Sequence, residues 1–190
     1  MAEDSASNLF TRDCLSAINK SFKYAREKKY EYLTIDNLML FLFQTKNGKK
    51  IFDAMKLDFD DYKNNVEEYL NKNINKINND KERTITTTSM DRLLKSAVKL
   101  KNKRGKDGLA NEEDILMALF DEDTDLDTYL LKYFTHYDVK IFNIASYIAH
   151  GKEKEETDTD NSSKKDESTS YLNKFAINLN EKALAGKIGV

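Results

Sequence analysis

Apolar residues recur along this chain at intervals of three and four, the period of helices with one buried face, and no segment alternates as a strand does. In the first such stretch Leu15, Ile18, Phe22 and Ala25 form a stripe, with Lys20, Lys23 and Arg26 turned elsewhere. Thr34 is placed to cap a short second helix carrying Leu38, Met39, Phe41 and Leu42. Asn111 stands in the same relation to Ile115, Leu116, Ala118 and Leu119. Both short helices are apolar on nearly all sides, which makes them central and buried. Further helices are predicted over residues 49–55, over 60–72 with Tyr62, Val66, Tyr69 and Leu70 inward, near 125–134, and over 139–149.

The pattern is written twice. Residues 12–43 return as residues 89–120, and the runs LMLFLF and ILMALF align 77 positions apart, with about one residue of slippage in the loops before them. Two copies are too few for a solenoid, which needs about three stacked units. They predict one all-α domain of eight helices in two sets of four, related by a pseudo-twofold axis. The domain is expected over residues 9–150, with one repeat over about 9–73, an exposed connector over 74–88 and the second repeat over about 89–150. Residues 1–8 read as a disordered start. Residues 151–170 hold no aliphatic or aromatic side chain and mix both signs of charge, so they read as a flexible tether. Residues 171–190 regain amphipathic spacing through Leu172, Phe175, Ile177, Leu179 and Leu184.

Charge and chemistry narrow the function classes. The 190 residues are 34% charged with a net charge of −2, so no global field draws the chain to nucleic acid or an anionic membrane. The single cysteine, Cys14, excludes an intramolecular disulfide, fits a reducing compartment and reads as a buried, inert thiol. The longest apolar run is far short of the ~20 residues a membrane helix needs. The first residues lack the basic and apolar regions of a signal peptide, which points to the cytoplasm. No phosphate-binding glycine loop, nucleophilic triad or metal-ligand spacing is present, so no catalytic residue, metal or cofactor is expected. His136 reads as surface, and His150 as a cap before a helix-stopping Gly151. Asp121, Asp123 and Asp125 begin like a calcium loop, but Leu126 replaces the required glycine and Lys132 the bidentate glutamate. A helix N-terminus that favours carboxylates explains the cluster better. Residues 92–106 hold seven Lys or Arg and no acid; without interleaved aromatics they read as a solvated helix face rather than a nucleic-acid groove.

The stretch AREKKYEYLTIDNL at residues 25–38 resembles AREHRHEFMTVEHL of ClpA, in the Clp amino-terminal domain family of Hsp100 unfoldases. YLLK at 129–132 and IAHGK at 148–152 resemble the close of that domain, and residues 172–188 resemble the lead-in to its first ATPase module. Asn37 stands where the family usually has histidine. The resemblance implies a docking domain that receives a ClpS-type adaptor and protein substrates for an ATP-driven unfoldase feeding the ClpP protease. The adaptor-binding positions it implies are Glu31, Thr87 and Arg92, with Asp36 nearby. Glu31 is expected in an inter-helix tip where the core does not need it, and Arg92 in a first helical turn, where the macrodipole disfavours a cation and a partner carboxylate could compensate. The tail reads as a truncated lead-in to an AAA+ module this sequence lacks, and the isolated chain is expected to be a monomer, since ATPase rings build the family's hexamer. The alternatives are a ClpC-type domain binding other adaptors or phosphoarginine between Asp36 and Glu113, a stand-alone Clp amino-terminal protein and, remotely, a nucleic-acid-binding helical module.

Overall fold

The computed structural model describes residues 9–78, 83–104, 108–121 and 126–156. Its elements are α1 (Arg12–Glu27), β1 (Tyr32–Leu33), α2 (Ile35–Leu42), α3 (Lys46–Ala54), α4 (Phe59–Asn73), β2 (Ile85–Thr86), α5 (Thr88–Lys103), α6 (Glu112–Ala118), α7 (Tyr129–His136) and α8 (Ile141–Glu156). The eight helices among the described residues fall into the expected two sets of four, α1–α4 and α5–α8. The chain divides into the units Met1–Ile144 and Ala145–Val190; the second is described only as far as Glu156, where it is helical. Residues 1–8, the tail over 157–190, Asp123, Asp125 and the side chain of His150 lie outside the described residues.

Local chemistry sets most helix starts. Thr34 and Asn111 cap α2 and α6 as expected, and each closes a full capping box. Asn37 Oδ1 accepts the Thr34 N–H and Asp114 Oδ2 accepts the Asn111 N–H, both at 2.9 Å. Thr45 caps α3, so that helix begins at Lys46, three residues before the predicted start. Gly48 in its first turn leaves room for the Leu42 carbonyl, which a Cβ would overlap. Thr128 caps α7, so the acidic run precedes that helix instead of occupying its first turn. Gly151 does not stop α8, which continues to Glu156. Helical glycine costs only about 1 kcal/mol relative to alanine, and the Lys and Glu that follow it are good helix formers.

The core forms around α2 and α6. Ile35, Leu38, Met39, Leu40 and Leu42 of the first and Ile115, Leu116 and Ala118 of the second are buried. Helix α1 packs on α2, α5 packs on α6, and α2 and α6 reach into opposite halves, α2 touching α5 and α7 while α6 touches α3. The α1 stripe differs from the expected one: its buried line is Cys14, Ala17, Ser21 and Ala25, with Leu15, Ile18 and Phe22 half-buried beside it. Small side chains let α1 approach α2 closely, and the Ser21 hydroxyl donates to the Ile18 carbonyl at 2.7 Å, so its burial leaves no unmet donor. Cys14 is buried, as expected. Burial, with the Glu112 carboxylate beside it, pushes its thiol up to about 12.

The segment between the halves is more than a connector. β1 and β2 pair in parallel, Tyr32 opposite Ile85 and Leu33 opposite Thr86. A second parallel bridge joins Phe10 to Ala110. Thr87, the N-cap of α5, donates its N–H to the Leu33 carbonyl (3.1 Å), and Thr11, the N-cap of α1, donates to the Ala110 carbonyl (2.9 Å). Each bond ties the entry to one repeat's first helix to the entry to the other's second helix. This reciprocal clasp is the pseudo-twofold relation seen in the backbone.

Candidate functional site

Of the positions singled out from sequence, Glu31 and Thr87 flank the β1–β2 ladder, Arg92 lies on the helix that follows it, and Asp36 stands apart. Glu31 precedes β1. Its carbonyl accepts the Ile85 N–H at 2.9 Å, and its own N–H donates to the Asn75 carbonyl at 2.9 Å. The Asn75 amide donates to Glu31 Oε2 at 3.2 Å. The residues beneath are fixed: the buried Tyr30 donates its hydroxyl to Asn71 Oδ1 at 2.9 Å, and the Lys76 ammonium donates to the same oxygen at 3.0 Å while lying 3.9 Å from the Tyr30 ring centroid. Glu31 is thus presented on a backbone held from both sides.

Thr87 is half-buried, and its hydroxyl accepts the Met90 N–H at 3.3 Å as the N-cap of α5. The register Tyr32–Ile85 and Leu33–Thr86 puts Glu31 just before one end of the ladder and Thr87 just past the other, so the two flank it. Arg92 is exposed and is the fifth residue of α5, in its second turn rather than its first. The unbonded N–H groups of the helix end before that position, so the macrodipole argument for Arg92 does not hold.

Asp36 is the exception. It is 5% exposed, and its two oxygens accept the N–H groups of Tyr129 (3.2 Å) and Leu130 (3.1 Å) at the start of α7. Burial raises its carboxyl to about 6 against the lowering effect of those two bonds. It pins α7 to α2 and is no part of an exposed surface. Its counterpart Glu113, also buried, accepts from the Asn47 side chain at 3.4 Å in the first turn of α3. The two carboxylates therefore serve the same structural purpose in opposite halves, each at the N-terminus of a short helix of the other repeat.

Tyr32 and Ile85 belong to no helical period of apolar positions. These register partners are 40% and 59% exposed and stand together between Glu31 and Thr87. For Ile85 the signal was present as an isoleucine inside an otherwise polar stretch; Tyr32 sits among Tyr30, Leu33 and Ile35 and carried no such mark. Glu31 also holds the Tyr32 phenol above its usual range by hydrogen bonding and charge. The pseudo-equivalent surface, around Leu9 and Leu109, has Gly108 where this one has Glu31 and Ser16 where it has Arg92. Gly108 has φ of 127°, a backbone that L side chains avoid. Among the described residues the charged site therefore occurs once.

Among the described residues, no three His, Cys, Asp or Glu side chains gather as a metal site, and no helix is long and apolar enough to cross a membrane. The arrangement is a rigid, mixed apolar and charged surface, which defines a two-repeat, all-α docking module. The family model of the Clp repeat (R) N-terminal domain matches residues 9–134, and the chain belongs to that family. The fold is similar to the Hsp104 N-terminal domain from Candida albicans, at TM-score 0.58 and 18% identity over 73% of this chain and 87% of that one. It is likewise similar to the N-domain of ClpV from Vibrio cholerae, at 0.63 and 14% over 78% and 88%. A complex of the ClpV N-domain with VipB peptide matches at 0.60 and 13% over 78% and 90%.

Proposed function

We propose that this chain is the adaptor- and substrate-docking domain of a cytoplasmic ClpA-type Hsp100 unfoldase, using the β1–β2 surface to receive a ClpS-type adaptor and feeding substrates toward a ClpP-type protease. On this reading residues 171–190 lead toward ATPase modules, and the docking domain itself does no chemistry. The observation that carries the reading is the exposed Tyr32–Ile85 pair on the ladder joining the two repeats, flanked in register by Glu31 and Thr87, with Arg92 exposed in the second turn of the helix that follows β2. An apolar centre with charged anchors at its rim is the usual anatomy of a specific interface. The solved ClpV N-domain with VipB peptide supports peptide docking on this fold.

The phosphoarginine alternative asks Asp36 and Glu113 to face a ligand. Both are buried against backbone or side-chain donors of the protein itself, which weighs against it.

Calorimetric titration of the whole chain with a ClpS-type adaptor tests the proposal. The expected result is one-to-one micromolar binding, weakened about tenfold (~1.4 kcal/mol) by Arg92→Glu or Glu31→Lys in variants with native circular dichroism. No binding at high concentration would overturn it.

A further inference from the structure

The basic stretch of α5 acquires a shape in the structure. Arg92, Lys95, Lys99 and Lys103 are all exposed. At 3.6 residues per turn their spacing puts them within an arc of about 80°, on the side away from the buried Met90, Leu93 and Ala97. The row runs about 16 Å along the helix at 1.5 Å per residue. No carboxylate lies within that arc. Asp91 bounds one side, and on the other Ser96 donates to Asp121 Oδ2 at 2.6 Å. Among the described residues no ion pair engages Lys95 or Lys103. Thr87 alone separates β2 from α5, so the exposed Tyr32–Ile85 pair stands at the N-terminal end of this cationic row.

We propose that the row Arg92–Lys95–Lys99–Lys103 and the Tyr32–Ile85 pair form one docking surface for an acidic protein segment with a single apolar anchor. The proposal rests on the reading of the β1–β2 surface as a docking site and names the chemistry of its partner. Successive cations lie three or four residues apart, about 4.5–6 Å along the helix. An extended peptide presents alternate side chains on one face about 7 Å apart. A segment with carboxylates at every second position can therefore follow the row, and an aromatic or aliphatic residue at its end meets Tyr32 and Ile85. A nucleic acid fits less well. Asp91 and Glu31 border the surface and repel a continuous phosphate backbone, whereas a peptide can place neutral residues opposite them. No aromatic side chain lies along the row for bases to stack on.

The test uses the full chain and a fluorescein-labelled twelve-residue peptide with one phenylalanine followed by alternating glutamate and serine, read by anisotropy. Binding is expected at 50 mM salt, weakened about tenfold at 200 mM and lost when glutamine replaces glutamate. Lys95→Glu with Lys103→Glu should weaken it at least about tenfold, and Tyr32→Ser about fivefold, with circular dichroism unchanged. Equal binding of the glutamine peptide, or no effect of the lysine reversals, would overturn the proposal. So would a single-stranded oligonucleotide that binds more tightly than the peptide and ignores Tyr32→Ser. Arg92 is untouched in the lysine variant, so the two readings fail separately. An adaptor that binds that variant normally while the peptide does not bind the native chain removes the acidic-segment inference alone. A peptide that binds as described when no adaptor does removes the adaptor reading alone.

Discussion

Asp36 shows how far a single residue's role can depart from its apparent position. In sequence it is an acidic residue two places after a cap, which suits a first helical turn at the surface. In the structure its carboxylate supplies the start of a helix 93 positions away. That geometry depends on how the second repeat returns, and no local pattern carries it. Glu113 follows the same logic in the other direction. The consequence is measurable. With its carboxyl raised from 3.8 to about 6, Asp36 binds its proton more tightly in the folded chain than in the unfolded one. Its contribution to stability is fully present below about pH 4 and is lost as pH rises through about 6, a change of about 3 kcal/mol at ~1.4 kcal/mol per unit. Asn cannot titrate. Urea unfolding of Asp36→Asn between pH 4 and 7 should therefore move in the variant's favour, relative to the native chain, by about that amount. A difference between the two proteins that stays constant over this range would contradict the assignment.

At the scale of elements, the helices were legible because their signals are local. Thr34 and Asn111 cap where the sequence says they should, and the apolar runs they open are buried. The two-residue strands were not legible, because a ladder that short has no period, and Ile85 and Thr86 sit in a polar stretch. Nor was the ion pair that distinguishes the repeats. Arg104, at the C-cap of α5, pairs with the buried Asp114, which also closes the capping box of α6. In the first repeat the equivalent box is closed by the neutral Asn37. A carboxylate at that position therefore needs Arg104, and an amide does not. Arg104→Met is expected to destabilise the chain by about 3 kcal/mol, because it leaves Asp114 buried and uncompensated. Adding Asp114→Asn should recover most of that loss. Chemical denaturation of the three proteins checks it, and a double variant no more stable than Arg104→Met would refute the argument.

Within the unit Met1–Ile144 the described residues form two similar halves that clasp each other by their entries. The duplication was visible in the repeated runs of LMLFLF and ILMALF, and it led to the correct class of fold. The clasp itself was not visible, because Thr87 to Leu33 and Thr11 to Ala110 are backbone bonds between distant segments. Symmetry of the backbone does not extend to the surface. Glu31 and Arg92 mark one ladder, and Gly108 and Ser16 stand in their places at the other. The docking account therefore predicts one site, although the architecture offers two positions for it. The most direct measurement is backbone amide chemical-shift mapping of the labelled chain on addition of an unlabelled ClpS-type adaptor. The account predicts changes concentrated at residues 30–33 and 83–92. Changes concentrated at residues 9–16 and 108–111 instead, or spread equally over both ladders, would contradict it.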